Sequence, residues 1–413
     1  MWKGPTPRVN ITNPEQLKEI FSKINDYPKP AFHPLVKSLA DGLVTLGGGK
    51  WARHRKTINP AFHMEKLKLA LPAFYSSSAE IFDRWEKFIS VARSGEIDVW
   101  IDIQNLTRDV ISRTAFGSSF EEGKRIFKLQ EEKALLAVKA LQSVYVPGWR
   151  FVPTSVNRRM KNIEKEVRAL VMDIVRRREK AMKAGEAASD DLLGLLLESN
   201  MKENVGMSLH EVIEECKLFY FVGQETTSVL LVWTMVLLSA HSDWQARARE
   251  EVLQVFGSRK PDFDGLSQLK IVTMILNEVL WLYPPVILLE CKVHKETKLG
   301  KLTIPPGVQL SASPLLIHRD KELWGEDADD FEPERFAEGV SRATKNQVSF
   351  FPFGWGPRIC IGQNFALIEA KIALAMILQR FTFALSPSYV HGPFTVFTLQ
   401  PQYGAQIILH KAN

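Results

Sequence analysis

Residues 208–239 constrain this chain more than any other stretch. Ser208-Leu-His-Glu211 has capping-box spacing, and the run that it opens is apolar almost all round, FYFVGQETTSVLLVWTMVLL. A helix of that composition has no solvent face, so the rest of the chain must cover it on every side. At ~1.5 Å per residue it reaches roughly 45 Å, enough to cross a whole domain. The apolar run beyond its polar patch falls short of the ~20 residues that span a bilayer, so burial within protein is expected.

In the middle of the helix stand Gly223, Gln224, Glu225, Thr226, Thr227 and Ser228. A buried carboxylate is costly unless it is paired or used. Glycine lets a neighbour approach the backbone, and threonines can bond back to carbonyls, bend the helix and open a groove. Acid, hydroxyl and gap together suit a proton relay. A polar network tying core helices together fits the same residues equally well.

The chain has the material for such a core, with 413 residues of which 45% are hydrophobic and 24% charged. Helical periodicity dominates from about residue 60 to 290. In RRMKNIEKEVRALVMDIVRRREKAMKAG, Ile163, Val167, Leu170, Val171 and Ile174 form one stripe. A solvated outer face for its arginines and lysines is preferred to a helix lying on a membrane. Before it, YVPGWRFVPT (145–154) reads as a loop carrying three aromatics, which suit lipid or ligand contact as well as a fold back onto the core. KAGEAASDD (183–191) is a polar surface connection. After residue 290, CKVHKETKLGKLTIPPGVQLSASP has short β-prone runs broken by Gly and Pro, which predict a small sheet. No composition break marks a linker. The expectation is a single domain over residues 1–413, mainly α with a minor β part.

Three cysteines occur, Cys216, Cys291 and Cys360, far apart and with no CxxC pair. Neither a disulfide framework nor a zinc site is suggested, and a reducing compartment is. Lysine and arginine outnumber the acids 53 to 47, giving +6 and a pI near 9.0. That balance suits an acidic partner protein or a membrane surface, and plain solubility explains it as well. No basic stretch interleaved with aromatics points to nucleic acid.

Cys360 has the most unusual setting, within FFPFGWGPRICIGQNFALIEA (350–370). Gly354, Gly356 and Gly362 permit tight turns and close approach of a flat ligand, while Pro357 prevents a regular strand. A helix N-terminus just beyond favours thiolate over thiol. Arg358 supplies a cation suited to a carboxylate on the same ligand. Together these describe a ligand site for haem iron.

The run F-P-F-G-W-G-P-R-I-C-I-G resembles the haem-binding signature of cytochrome P450 monooxygenases. VGQETT (222–227) resembles their oxygen-activating helix motif, WARHR (51–55) their Trp-x-x-x-Arg, and PERF (333–336) their meander motif. The motifs stand in the family's order and cover essentially the whole chain. FPFGWGPRICIGQNFA, LVWTMVLLS, LYPPVILL and LQPQYGAQ are similar to the plant branch that includes secologanin synthase. The resemblance implies a P450 fold with haem b as cofactor, Cys360 its iron ligand, and Phe353 and Gly362 in the surrounding loop. Trp51, Arg55 and Arg358 would hold the propionates. Glu225 and Thr226 would deliver protons for O2 activation beside a groove at Gly223. It further implies electrons from an NADPH-dependent cytochrome P450 reductase, a hydrophobic small-molecule substrate, and a place at the cytosolic face of the endoplasmic reticulum membrane. The start MWKGPTPRVNI holds no anchor and reads as mid-domain, so the anchor and first elements of the P450 fold are expected to be missing.

The sequence also departs from the pattern. The family's Glu-x-x-Arg, which pairs with the meander arginine, here Arg335, reads Glu278-Val-Leu-Trp281. An i, i+3 cation for Glu278 is therefore lost. A second arginine, which reaches a propionate, is replaced by Cys291, and Val222 stands where alanine is usual beside the groove glycine. Three readings compete. The first is a monooxygenase acting on a hydrophobic plant metabolite of terpenoid type. The second is a catalytically impaired relative, supported by Trp281 and Cys291. The third is a peroxide-using isomerase or dehydratase, against which Glu225 and Thr226 argue.

Overall fold

In the computed structural model, residues 2–3, 6–32, 34–39, 41–89, 94–118, 120–142, 152–186, 191–202, 206–345 and 347–412 are described. Most of the aromatic loop at 145–154, up to residue 151, and residues 187–190 of the polar connection lie outside them. The chain divides into two compact units. One comprises residues 1–30, 74–106 and 226–413, and the other residues 31–73 and 107–225.

The helix Leu209–Ala240 runs unbroken through its polar patch and contributes its first half to one unit and its second half to the other. Its start is the expected capping box. The Ser208 N–H donates to Glu211 Oε2 at 2.8 Å, and the Glu211 N–H donates to Ser208 Oγ at 3.3 Å. It is long and apolar enough to cross a membrane by length and composition, yet most of it is buried in protein.

The second unit is helical. Thr154 caps the helix Ser155–Lys183 by accepting the Asn157 N–H at 3.1 Å. Ile163, Val167, Val171 and Ile174 of its stripe are buried, and Leu170 is half-buried. On its outer side Arg159 and Glu166 pair with Glu132 and Arg125 of the helix Phe120–Gln142. Protein covers the apolar stripe, so the solvated-face reading holds and the membrane-lying one loses the surface that it needs. Beneath these exposed pairs lies a buried cluster that ties three helices together. Lys217 of the long helix reaches Glu164 at 2.6 Å and Glu214 at 2.8 Å. Lys133 reaches Glu164 too, and donates to the Ser38 carbonyl at 2.6 Å. Burial opposes ionisation of Glu164, but Lys217 and Lys133 outweigh it and hold the carboxyl below its usual range.

The first unit carries the β part. Thr6–Asn10, which holds most of the PRVNI segment, pairs in parallel with Gln309–Ala312, and Leu289–Lys292 pairs antiparallel on the other side, Cys291 opposite Leu310. Ile11, Leu17, Ile20, Val293, Leu310 and Phe351 form the core at this sheet. Gln406–Lys411 lies between Ser94–Asp98 and Phe381–Leu385 in a second, antiparallel sheet. Thr297–Leu299 and Leu302–Ile304 form a ribbon. The sheet read from the Gly- and Pro-broken stretch after residue 290 is thus present. The second half of the long helix, Val229 to Leu238, is buried here, and the Trp233 indole N–H donates to the Leu399 carbonyl at 2.6 Å.

Glu164→Gln leaves two buried lysines short of a counter-charge. A loss of about 3 kcal/mol in urea unfolding is expected. Glu132→Gln, at an exposed pair, changes the same midpoint by less than about 1 kcal/mol.

Candidate functional site

The loop that carries Cys360 is built by turns only glycine tolerates. Gly354 (φ +73°) and Gly356 (φ +71°) occupy the left-handed region. A Cβ on Gly356 would lie 2.6 Å from the Phe21 carbonyl oxygen, so the loop also presses against the end of the helix Pro14–Ser22. The Gly354 N–H donates to Phe351 O at 2.9 Å, and the Cys360 N–H donates to Phe353 O at 2.8 Å. Phe353 thereby fixes the cysteine backbone. Gly362, at an ordinary φ of −91°, caps the helix Gln363–Arg380, and the Ala366 N–H donates to its carbonyl at 2.9 Å. Cys360 is exposed and stands just ahead of that helix, where the N-terminal dipole favours a thiolate.

The other cysteines differ. Cys216 is buried and Cys291 half-buried, and burial pushes the thiol of Cys216 well above its usual range and that of Cys291 to about 12. Both stay protonated. A soft anionic donor open to a ligand is therefore offered by Cys360, with the half-buried Arg358 beside it, and this donor set fits haem iron.

The segment entering the loop is anchored from behind by His318. Its Nδ1–H donates to the Trp281 carbonyl at 3.1 Å, and its Nε2 accepts the Phe351 N–H at 3.3 Å. That pattern requires the neutral ring, and burial indeed drives the His318 pKa down to about 3. His318 thus links the helix Lys270–Leu282 to the cysteine loop. Sequence reasoning did not single it out, because its partners are backbone groups far away in the chain.

Trp281 sits fully buried at this junction. Its indole N–H donates to Ala328 O at 3.2 Å, and the Arg335 guanidinium lies 4.9 Å from its ring. Its ring centroid is only 3.6 Å from that of Trp324, closer than the ~4.5–7 Å aromatic pairs prefer. The site is overfilled. Glu278, also fully buried, accepts the Glu332 N–H at 2.9 Å. Arg335 Nε approaches the second Glu278 oxygen at 3.4 Å without hydrogen-bond geometry, and spends its other nitrogens on Asp327. Burial, only partly offset by the Glu332 N–H and Arg335, raises the Glu278 carboxyl to about 7. The expected link between Glu278 and Arg335 is present in a weakened form.

In the second unit, Trp51 and Arg55 lie one turn apart on the helix Gly48–Ile58, both half-buried. This helix is fastened to the start of the long one. His54 Nδ1 is 2.6 Å from Glu215 Oε1 in a buried pair, and Lys50 and Arg53 reach Glu211 at 2.9 and 3.0 Å. At Gly223 a Cβ would fall 2.7 Å from the Ile111 side chain, so the approach that this glycine permits is that of Ile111. The half-buried Glu225 accepts from the Gln224 amide at 3.0 Å, and Gln224 accepts from Arg108 Nε at 3.2 Å. Thr226 and Val222 are half-buried too. Glu369, on the helix after Cys360, was not foreseen. Burial, opposed only by Thr227, keeps its carboxyl well above the usual range and hence neutral.

A loop that presents an accessible cysteine at a helix N-terminus, beside an arginine, defines a haem-thiolate protein. The family model for cytochrome P450 matches residues 1–407. Cytochrome P450 72A397 of Kalopanax septemlobus is 62% identical, over 100% of this chain and 80% of its own. Cytochrome P450 72A15 of Arabidopsis thaliana is 59% identical over 99% and 81%, and the 11-oxo-beta-amyrin 30-oxidase of Glycyrrhiza uralensis 57% identical over 99% and 80%. The chain belongs to the cytochrome P450 family, and its relatives are plant enzymes. It is a monooxygenase by family, with haem b and O2 as cofactors and NADPH supplying electrons through a reductase.

Glu278 has a pKa raised above its unfolded value, so both states are protonated well below pH 4.5 and stability is lost as pH rises toward about 7. Trp281→Arg relieves the crowding and returns a cation to Glu278. Its unfolding free energy should exceed the parent's by an amount that grows from pH 5 to pH 7.5, reaching about 1–3 kcal/mol in urea unfolding. An equal offset at both pH values would mean that Glu278 already has its counter-charge.

Proposed function

We propose that the chain inserts one oxygen atom of O2 into a hydrophobic plant terpenoid. The observation that carries this reading is the 57% identity, across 99% of the chain, to a relative named as an oxidase of an amyrin, a terpenoid. When bound, the haem supplies the iron at which O2 is activated. Cys360 would hold that iron through its thiolate, on a backbone set by the Phe353 carbonyl, the two left-handed glycines and the Gly362 cap. Trp51, Arg55 and Arg358 bind the propionates. Glu225 takes protons from the surrounding polar network and Thr226 places them, while Glu278 and Arg335 steady the fold behind the loop. The two units act as one catalytic domain. Electrons come from an NADPH–cytochrome P450 reductase whose acidic docking face suits the +6 charge, at the cytosolic face of the endoplasmic reticulum membrane.

A second reading, an impaired copy, is favoured by the overfilled site at Trp281 and the neutral Cys291. The colour of the purified protein separates the two. A full complement of haem with a thiolate-type carbonyl spectrum, and turnover of a member of a terpenoid panel with reductase, support the first. A colourless, folded chain supports the second.

Cys360→Ser should abolish the thiolate-type carbonyl spectrum and oxygenation while the apo-protein's unfolding free energy stays within about 1 kcal/mol of the parent's. A retained thiolate spectrum would sink the assignment.

Thr226→Ala should bind haem and substrate as the parent does but release several times more peroxide per NADPH consumed. An unchanged ratio would make the polar patch a purely structural network.

A further inference from the structure

Within the first unit, the helix Ser242–Phe256 ends beside the last turn of the helix Gln363–Arg380, and a cleft of about 290 Å³ opens there. Arg249, Arg259, Lys260 and Arg380 line it, and among the described residues no aspartate or glutamate does. Leu253 and Met376 give it apolar wall, and Tyr75 and Ser258 add hydroxyls. The rim is held in place. Gly257, at φ +56°, turns the chain out of its helix, and the Gln379 amide donates to the Gly257 and Arg259 carbonyls, each at 2.9 Å. Arg249 is half-buried and donates to Leu378 O, while Lys260 Nζ lies 4.3 Å from the centre of the Tyr75 ring. The surrounding acids are taken up elsewhere or stand clear. Asp83 pairs with Arg380, Glu251 accepts the N–H groups of Lys270, Ile271 and Val272, and Asp262 accepts the Gly265 N–H at 2.7 Å. The exposed Glu250 does not line the cleft. Arg259 and Lys260 have no ion-pair partner among the described residues.

A cation at a helix C-terminus complements its dipole, and that accounts for Arg259, whose Nη2 donates to Val255 O at 3.0 Å. It does not account for Lys260, laid on an aromatic face, or for four cations around one hollow without an acid in its lining. Such a hollow concentrates positive potential, which an anion relieves. We propose that this cleft binds a phosphate monoester carried on a small polar ring. The guanidinium groups take the phosphate oxygens, for which their planar fork is matched, and Lys260 adds a point charge. The hollow is larger than a bare phosphate needs, and the Tyr75 and Ser258 hydroxyls serve the ring that fills the remainder. Two sources share this chemistry, a soluble inositol or sugar phosphate and the headgroup of a phosphorylated inositol lipid. The proposal is independent of the haem reading.

The test is calorimetric titration of the full chain with myo-inositol monophosphate, beside inorganic phosphate and polyglutamate at matched ionic strength. The double reversal Arg259→Glu/Lys260→Glu should bind the ester at least about tenfold more weakly than the parent, and the neutral pair Arg259→Gln/Lys260→Gln should fall between them. Lys260→Arg should stay within about threefold of the parent, as should Lys301→Glu, a reversal at the exposed turn of the ribbon. Flotation with phosphatidylcholine vesicles, with and without phosphatidylinositol monophosphate, tells the sources apart. Recruitment by the phosphorylated lipid that the double reversal abolishes supports the site with a lipid source. Binding of the soluble ester by a chain that ignores the vesicles supports it with a soluble one. Failure to bind either probe overturns the proposal, as does binding that the neutral pair and the double reversal leave unchanged. Inorganic phosphate bound as tightly as the ester overturns it too, leaving an adventitious ion only. Polyglutamate bound where the ester is not would overturn it in favour of an acidic protein partner.

Discussion

Most of the helix Leu209–Ala240 is closed to water, and its buried polar groups must find partners in protein. Each unit meets that demand in its own way. In the second unit, Lys217 is held by Glu164 and Glu214, and the Gln224 carbonyl takes an extra bond from Thr107 at 3.1 Å. In the first unit, the Trp233 indole finds the Leu399 carbonyl, and Thr234 bonds back to Leu230 O at 2.7 Å. Leaving any one of these groups unmet would cost about 1–3 kcal/mol, a sizeable part of a domain's ~5–15 kcal/mol.

The cysteine loop depends on support of another kind. Its turns are dictated locally by glycine, but its position is dictated from behind by His318, which is useful only as a neutral ring with one donor and one acceptor. The same layer holds Trp281 and Glu278. Crowding at an indole and a carboxyl raised toward neutrality are two consequences of one residue choice at position 281, and both fall on the element that carries the His318 contact. Fold stability and cofactor site are coupled there through packing rather than through any residue touching the haem.

Much was legible in the sequence because the signals were local. The capping box at Ser208, the stripe of the helix Ser155–Lys183, the strands after residue 290 and the glycines around Cys360 depend on neighbours within one or two turns. The haem-binding signature around Cys360 was likewise readable, since a soft donor among turn glycines and an arginine is a local composition. What escaped were contacts closed over distance such as Lys133 with Glu164, His54 with Glu215 and His318 with Phe351. Lys217 was invisible for a related reason, as one lysine in an apolar run carries no sign of the carboxylates waiting for it.

The sequence by itself determined the class of the protein and the absence of a cation at positions 281 and 291. The tertiary structure decided what those absences do. At 281 the fold packs the indole among aromatics and leaves Glu278 undercompensated, whereas at 291 burial keeps the thiol protonated. The difference is physical. A helix fixes which side chains share a face through its own period, but the partner of a charge is set by whichever distant strand or loop the packing brings within a few ångströms of it.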